Sequence, residues 1–350
     1  MNRRILIIKL GAVGDVIHTL PMLETLRVGF PKAHIAWAVE EAAAPILEGN
    51  PALNELILLN RKALSGLSGP AYFMRWLRAL RGQRFDTVLD PHNLFKSGLM
   101  AFASRAHLRI GFQKLREGNF LFMNRRVKPA PRRRHAVEKY LSLLEPLGIQ
   151  ERQWTVRFPL TWNPQDEDRA DRFWRREGFG SGASKYDGVV AVNPGASWPS
   201  KRWMPERYAQ VADRLVKQHG IRPLVLWGPG ERSLADRVVR SMSEKAVIAP
   251  ETDLKQLMAL IKRCRLLICG DTGPLHIAAA LGIPTVALFG PSDPARNGPY
   301  GQGHTVVRSP IPSATHWQKK EIGDRWMNAI PVETVVEAAG SSLKDVRGKG

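Results

Sequence analysis

Residues 266–291 read LLICGDTGPLHIAAALGIPTVALFGP, and no other stretch constrains the fold as tightly. An apolar strand over 266–269 runs into a polar turn at Asp271 and Thr272. A helix then opens at Gly273 and Pro274, and a second apolar strand follows over 285–289. That is a βαβ step, which joins two parallel strands of one sheet. Proline at a first helical position has no N–H to leave unsatisfied. The free N–H groups of the turn, backed by the helix dipole, suit a phosphate or sugar oxygen. In open α/β sheets such a turn lies at the carboxyl end of its strand, where ligands bind.

The same alternation fills the chain. RILIIKL, HIAWAV, ELILLN, FDTVLD and LRIGF read as short buried strands of a first parallel sheet, separated by helical stretches such as 16–28 and 137–147. A changeover falls at about 158–188: Asn163 and Pro164 cap a charged helix to about Glu177, and GFGSGASKYDG has the composition of a linker. The alternation restarts with VVAVNP, a helix over 205–219, PLVLWG, a helix from about 231, a short strand near 247 and a helix over 253–262. With 350 residues and 44% hydrophobic content the chain can bury two cores. The expected fold class is α/β, with two Rossmann-like doubly wound parallel-sheet domains facing a central cleft. The expected domains are 1–160 and 188–330, joined by a linker helix and loop over 161–187. Over 331–350 a last helix is expected to pack back on the first domain before a frayed tail.

The net charge of +20 is uneven: 25 of the 52 Lys and Arg but only 12 of the 32 Asp and Glu fall within residues 1–160, so a polyanionic partner is expected to meet that half. Arg75, Arg78 and Arg81 recur at three-residue steps beside Tyr72, Phe73, Trp76 and Leu80. The pattern fits an amphipathic helix on an anionic membrane surface, and equally a solvated face packed by its aromatic side. Arg3 and Arg4 before ILII suggest a signal peptide until Lys9 interrupts the run, and no apolar run is long enough to cross a bilayer. Cys264 and Cys269 lie in or beside a buried strand without metal-ligand spacing, which suits a reducing compartment, so a cytoplasmic protein is expected. Charge alone permits a nucleic-acid-binding protein, but no recognised DNA- or RNA-binding motif occurs.

Three further turns carry chemistry. KLGAVGDVIHTLP lacks the third glycine of a dinucleotide fingerprint and sets Asp15 at the helix entrance, where it would repel a pyrophosphate; Glu40 only poses as a ribose acid. Asp15 is either a general base for a hydroxyl nucleophile or a helix N-terminal charge, and His18 one turn on reads as packed or solvated. NPGASWPSKRW follows its strand with Ser197, Lys201 and Arg202, a hydroxyl and cations suited to a diphosphate or simply solvated. In WGPGE, Glu231 can take ribose hydroxyls or cap the helix. Strands of one sheet would aim NPGAS, WGPGE and GDTGPLH at one cleft, a set that fits a nucleoside-diphosphate ligand.

With these turns in place the chain resembles the heptosyltransferases of lipopolysaccharide core synthesis, inverting glycosyltransferases of the two-domain GT-B fold. The resemblance runs through KLGAVGDVIHTLP, AWAVEE, KSGL, GFQKLREG, HAVEKYL, NPGASWPSKRW, WGPGE and GDTGPLHIAAALGIPTVALFGPSDP. GDVIHTLP and AWAVEE look more like the first heptosyltransferase, whose acceptor is Kdo-lipid A, than the second. The resemblance implies Asp15 as base, Lys201 at the donor phosphates, Glu231 at the ribose, and Asp271, Thr272, Gly273 and His276 as the donor-binding turn, and Ser197 of the same loop as Lys201 is assigned to the donor with them. It implies ADP-heptose as donor, and no metal or other cofactor is expected, since protein cations and helix dipoles can do the electrostatic work. Eleven Lys or Arg against two acids between Arg105 and Lys139 suit an acidic, phosphorylated acceptor, and Arg61, Lys96, Lys114, Arg116 and Arg134 are assigned to it. The protein is expected to be a monomer associated peripherally with the inner face of the inner membrane, with no nucleic-acid partner. One departure is HWQKKEIGDRWM, which lacks the cysteines that some relatives carry there.

Overall fold

The computed structural model of the chain describes residues 3–113, 117–132, 135–179, 188–311 and 325–347. The chain divides into two compact units, Met1–Thr161 and Trp162–Gly350. Each is built on a six-stranded sheet whose recorded pairings are all parallel.

Unit 1 contains β1 (Arg4–Ile8), β2 (His34–Glu40), β3 (Glu55–Leu59), β4 (Thr87–Leu89), β5 (Leu108–Phe112) and β6 (Arg125–Val127), in the order β3-β2-β1-β4-β5-β6. β1 lies between β2 and β4, so Ile7 is opposite both Trp37 and Leu89. Its helices are α1 (Val13–Ile17), α2 (Leu20–Gly29), α3 (Gly69–Gly82), α4 (Phe95–Ala103) and α5 (Ala136–Ser142). Leu6, Ile8, Ala36 and Val88 pack against Leu77, Leu80 and Met100 on one face of the sheet.

The expected helix over 16–28 is two helices. Pro21 has no N–H for the helical ladder and its ring opposes the preceding turn, while the Thr19 hydroxyl bonds the Asp15 carbonyl at 2.8 Å. Pro146 likewise ends the expected helix over 137–147 early: α5 stops at Ser142 and a 3₁₀ turn, Glu145–Leu147, follows. The aromatic side of α3 belongs to the core, where Trp76 is buried and Tyr72 and Phe73 pack, and Arg75, Arg78 and Arg81 are exposed. The aromatic face of this helix is therefore turned to the core, while Met74 is half exposed.

Unit 2 contains β7 (Val189–Asn193), β8 (Arg222–Val225), β9 (Val247–Ile248), β10 (Leu266–Gly270), β11 (Thr285–Phe289) and β12 (His304–Arg308), in the order β12-β11-β10-β7-β8-β9. The helices are α6 (Pro164–Arg176), α7 (Pro205–His219), α8 (Arg232–Ser241), α9 (Leu254–Lys262) and α10 (Gly273–Ala280). Asn163 caps α6 through a 2.8 Å bond from the Asp166 N–H. Cys264 and Cys269 are free and buried, and burial pushes the Cys264 thiol up to about 12.

The helix Val332–Arg347 corrects one expectation. It packs on unit 2: Val332, Val335, Val336, Ala339 and Leu343 form an apolar stripe in the core with Val190, Leu266 and Val286. β6 and β12 are edge strands with half or more of their residues outside the core. Their sequences, RRV and HTVVR, lack the continuous apolar signature of the inner strands. No helix of the described residues is long and apolar enough to cross a membrane.

Candidate functional site

In each sheet the strand order reverses at one point, between β1 and β4 in unit 1 and between β7 and β10 in unit 2. The crevice beyond the carboxyl ends of such a strand pair is where doubly wound sheets bind ligands. The candidate residues gather at these two places.

In unit 1, the turn after β1 carries Lys9 and Asp15. Lys9 is almost wholly buried; its ammonium donates to the Tyr140 hydroxyl at 2.8 Å and lies 3.4 Å from Asp15 Oδ2. Tyr140, from α5, donates in turn to Asp15 Oδ1 at 3.1 Å. Burial pushes the Asp15 carboxyl up, but the Lys9 charge and the Tyr140 hydrogen bond outweigh it and hold the carboxyl below its ordinary range. Burial likewise pulls the Lys9 ammonium down, and Asp15 and Tyr140 more than restore it, so both groups stay charged. The Asp15 side chain remains 40% exposed, an ionised carboxylate oriented from behind and open in front. His18 is buried in ring contact with His135, 4.9 Å between centroids, which is the packed reading.

The turn after β4 is built around Asp90, a wholly buried carboxylate. Its Oδ1 accepts from the N–H groups of His92 and Asn93, and its Oδ2 accepts from Ser97 Oγ at 2.8 Å and Asn119 Nδ2 at 2.7 Å. Burial raises its pKa although these four donors oppose the shift. The network fixes the entrance to α4. Lys96 of α4 and Arg61 each approach Glu40 at 3.9 Å, at the end of β2. The structure thus brings Arg61 and Lys96 together around one carboxylate. Lys114, Arg116 and Arg134 lie outside the described residues.

In unit 2, the long loop after β7 reaches the turns after β10 and β8. Lys201 Nζ donates to Asp271 Oδ2 at 2.6 Å and to the Asp271 carbonyl at 3.3 Å. Ser292 Oγ donates to the same Oδ2 at 2.8 Å, and His276 Nε2 lies 3.4 Å from Oδ1. Burial would raise the Asp271 carboxyl, but His276 and Lys201 hold it far below the usual carboxylate range. Thr272 and Gly273 open α10 here, and the Thr272 hydroxyl bonds the Gly270 carbonyl at 3.3 Å.

Glu231 stands at the N-cap of α8, accepts from the Gly228 N–H at 3.2 Å and lies 3.9 Å from Arg202. A Cβ on Gly195 would fall 1.9 Å from Glu231 Oε2, so NPGAS and WGPGE are in direct apposition. Ser197 is exposed on the same loop, and no recorded hydrogen bond joins it to the Asp271 group. Lys201 is a quarter exposed, a buried-base, solvent-tipped cation beside a helix entrance.

Sequence reasoning had passed over Lys9, Tyr140, Asp90 and Ser292. Lys9 is the one signal that was available, a cation ending an apolar strand at a ligand-binding edge.

Comparison with known proteins gives these turns a context. Residues 73–326 match glycosyltransferase family 9 (heptosyltransferase). The lipopolysaccharide core heptosyltransferase OpsX of Haemophilus influenzae is 28% identical, covering 94% of this chain and 94% of its own length. A family 9 glycosyl transferase from Veillonella parvula superposes with a TM-score of 0.85 at 29% identity, covering 99% of this chain and 98% of that one. The Escherichia coli heptosyltransferase WaaC, solved with ADP, gives a TM-score of 0.74 at 25% identity, with 97% and 99% covered.

Proposed function

The chain belongs to glycosyltransferase family 9, and from that premise we propose that it transfers L-glycero-D-manno-heptose from ADP-heptose to a Kdo hydroxyl of Kdo-lipid A, with inversion at the anomeric carbon. It is a glycosyltransferase of the GT-B fold, a lipopolysaccharide heptosyltransferase by family. The observation that carries the donor assignment is the meeting of Lys201, Asp271 and the α10 N-terminus, with Glu231 held against the same loop. A cation and a helix entrance suit a diphosphate, and a carboxylate beside them suits ribose hydroxyls.

In this reading the acceptor hydroxyl oxygen bonds to the anomeric carbon while the bond from that carbon to the ADP phosphate oxygen breaks. The hydroxyl proton passes to Asp15. The hydroxyl becomes more acidic as its oxygen bonds to carbon, so even a weak carboxylate base can take the proton late in the step. Lys201 and the N–H groups opening α10 take up the charge that grows on departing ADP, so the electrostatic work is assigned to protein groups and no metal is invoked. Arg61 and Lys96, which meet at Glu40, are assigned to acceptor carboxylates. The first-heptose step is supported by GDVIHTLP and AWAVEE, which are like the first heptosyltransferase.

Incubation with ADP-heptose and Kdo-lipid A, followed by mass measurement of the lipid, tests the proposal. A gain of one heptose is expected. A gain seen only on an already heptosylated acceptor would move the enzyme to a later step, and no gain on either would overturn the acceptor assignment.

A further inference from the structure

Glu40, the last residue of β2, has no part in the transfer step, yet it sits between the two cations assigned to the acceptor. Its N–H bonds the Leu10 carbonyl at 2.8 Å, which ties it to the chain leaving β1. In the sheet it lies opposite Leu59 of β3, two residues before Arg61. The carboxylate is 19% exposed and rests against the turn that leads to Asp15, where a Cβ on Gly11 would lie 3.6 Å from its Oε2. Arg61 Nη1 approaches that same oxygen and Lys96 Nζ approaches Oε1, each at 3.9 Å.

A separation of 3.9 Å is longer than the roughly 2.7–3.2 Å of an N–H···O bond. The three groups therefore attract one another as charges while their donors stay available, and among the described residues no side-chain hydrogen bond of Arg61, Lys96 or Glu40 is recorded. Arg61 is 82% exposed and Lys96 about a third, so both can turn to a ligand. Burial pulls the Lys96 ammonium below its ordinary value; Glu40 opposes that pull and Arg61 adds to it, so the three charges are coupled.

Two cations and one carboxylate leave a net charge of +1, which suits a group that brings a single negative charge. Without Glu40 the pair would carry +2 at an open edge. It would then collect multivalent anions such as phosphate, which an incoming acceptor would have to displace. In water, one like charge at about 5 Å weakens the binding of a monoanion by about threefold and that of a dianion by the square of this, about tenfold. Glu40 is thus placed to discriminate by charge, because its repulsion counts double against a dianion.

We propose that Glu40 is a specificity-determining residue, a charge filter that holds the Arg61 and Lys96 site to the carboxylate of a sugar acid and turns away dianions such as phosphate and sulfate. The inference rests on the reading that these two cations receive an acceptor carboxylate. The filter itself is a property of three side chains, and its first test contains no acceptor, so either can fail without the other.

The full chain is treated with an amine-reactive ester, and the rate of acylation at Lys96 is read by mass spectrometry while sulfate or acetate is raised at constant ionic strength. The concentration that halves this rate reports occupancy at Lys96, whatever anions bind elsewhere. In Glu40→Gln the sulfate concentration should be about tenfold lower than in the parent and the acetate concentration about threefold lower. Its melting temperature should be nearly unchanged, because exposed pairs of this length contribute little. Glu40→Asp keeps the charge and should match the parent, and E40Q/R61Q, with the net charge back at +1, should lose the gain. An unchanged sulfate concentration in Glu40→Gln, equal gains for sulfate and acetate, or a Glu40→Asp variant that behaves like Glu40→Gln would overturn the filter. In the transfer assay, sulfate should compete with the acceptor in Glu40→Gln at concentrations that leave the parent untouched. Protection of Lys96 without that competition would overturn the assignment of the two cations to the acceptor and leave the filter standing.

Discussion

Asp15 stays ionised because Lys9 and Tyr140 outweigh its burial, and the same pair makes it a weaker base than a free carboxylate. Asp15→Asn removes the proton acceptor of the proposed step without changing shape, so turnover should fall by roughly 10² to 10⁴ while ADP affinity, measured calorimetrically, stays put. Lys9→Met leaves burial acting on Asp15 against the Tyr140 bond and the smaller influence of His92. The carboxyl should then titrate higher, and the acidic limb of the pH–rate profile, which in the parent lies below the ordinary carboxylate range of about 3.9, should move upward. An unmoved limb would mean that Lys9 is not coupled to the base. Lys201→Ala should lower kcat/KM by about 10² or more through lost leaving-group stabilisation, as initial rates at low donor concentration would report. Asp15, Lys201 and Asp271 were legible in the sequence because each falls on a turn directly after an apolar strand. Tyr140 was not, because its partner Lys9 is 131 residues away and only the folded sheet brings them together.

At the scale of elements, the loops after β7 and β8 of unit 2 are in direct contact. Gly195→Ala would drive a methyl into the Glu231 carboxylate, which must swing away and give up its bond from the Gly228 N–H; a destabilisation of about 0.5–1.5 kcal/mol is expected from that lost bond. Glu231→Ala in the same chain should relieve most of that loss, and a thermal-melt double-mutant cycle checks the coupling. The inner strands and the helix entrances at Pro205, Asp253 and Gly273 were readable because continuous apolar runs and capping residues are local signals. The edge strands β6 and β12 were not, since one flank of each is unpaired and their composition is free to be polar. The break between α1 and α2 was written in Pro21, and the two residues His18 and Thr19 that separate them leave Asp15 in the first turn of its own short helix.

At the scale of the whole molecule, each unit carries its own sheet and core, so residues 162–350 produced alone should fold cooperatively and their melting temperature should rise with ADP. Absence of an ADP-induced rise in a folded fragment would show that the donor site is incomplete within that unit. The alternation of strands and helices was enough to read two parallel sheets, but not where the last helix would pack. Its stripe of Val332, Val335, Val336 and Ala339 marks it as a core helix without saying which sheet it covers, because one apolar face suits either. The strand order carries a kinetic consequence as well. Lys201 and Asp271 are separated by 70 residues that include β8, β9 and three helices, so their contact waits on the closure of a long loop. In the proposed donor site a chain emerging during synthesis therefore cannot bring Lys201 to Asp271 until β10 has docked beside β7, and acquisition of ADP binding during refolding should report that pairing and not the early collapse of the unit.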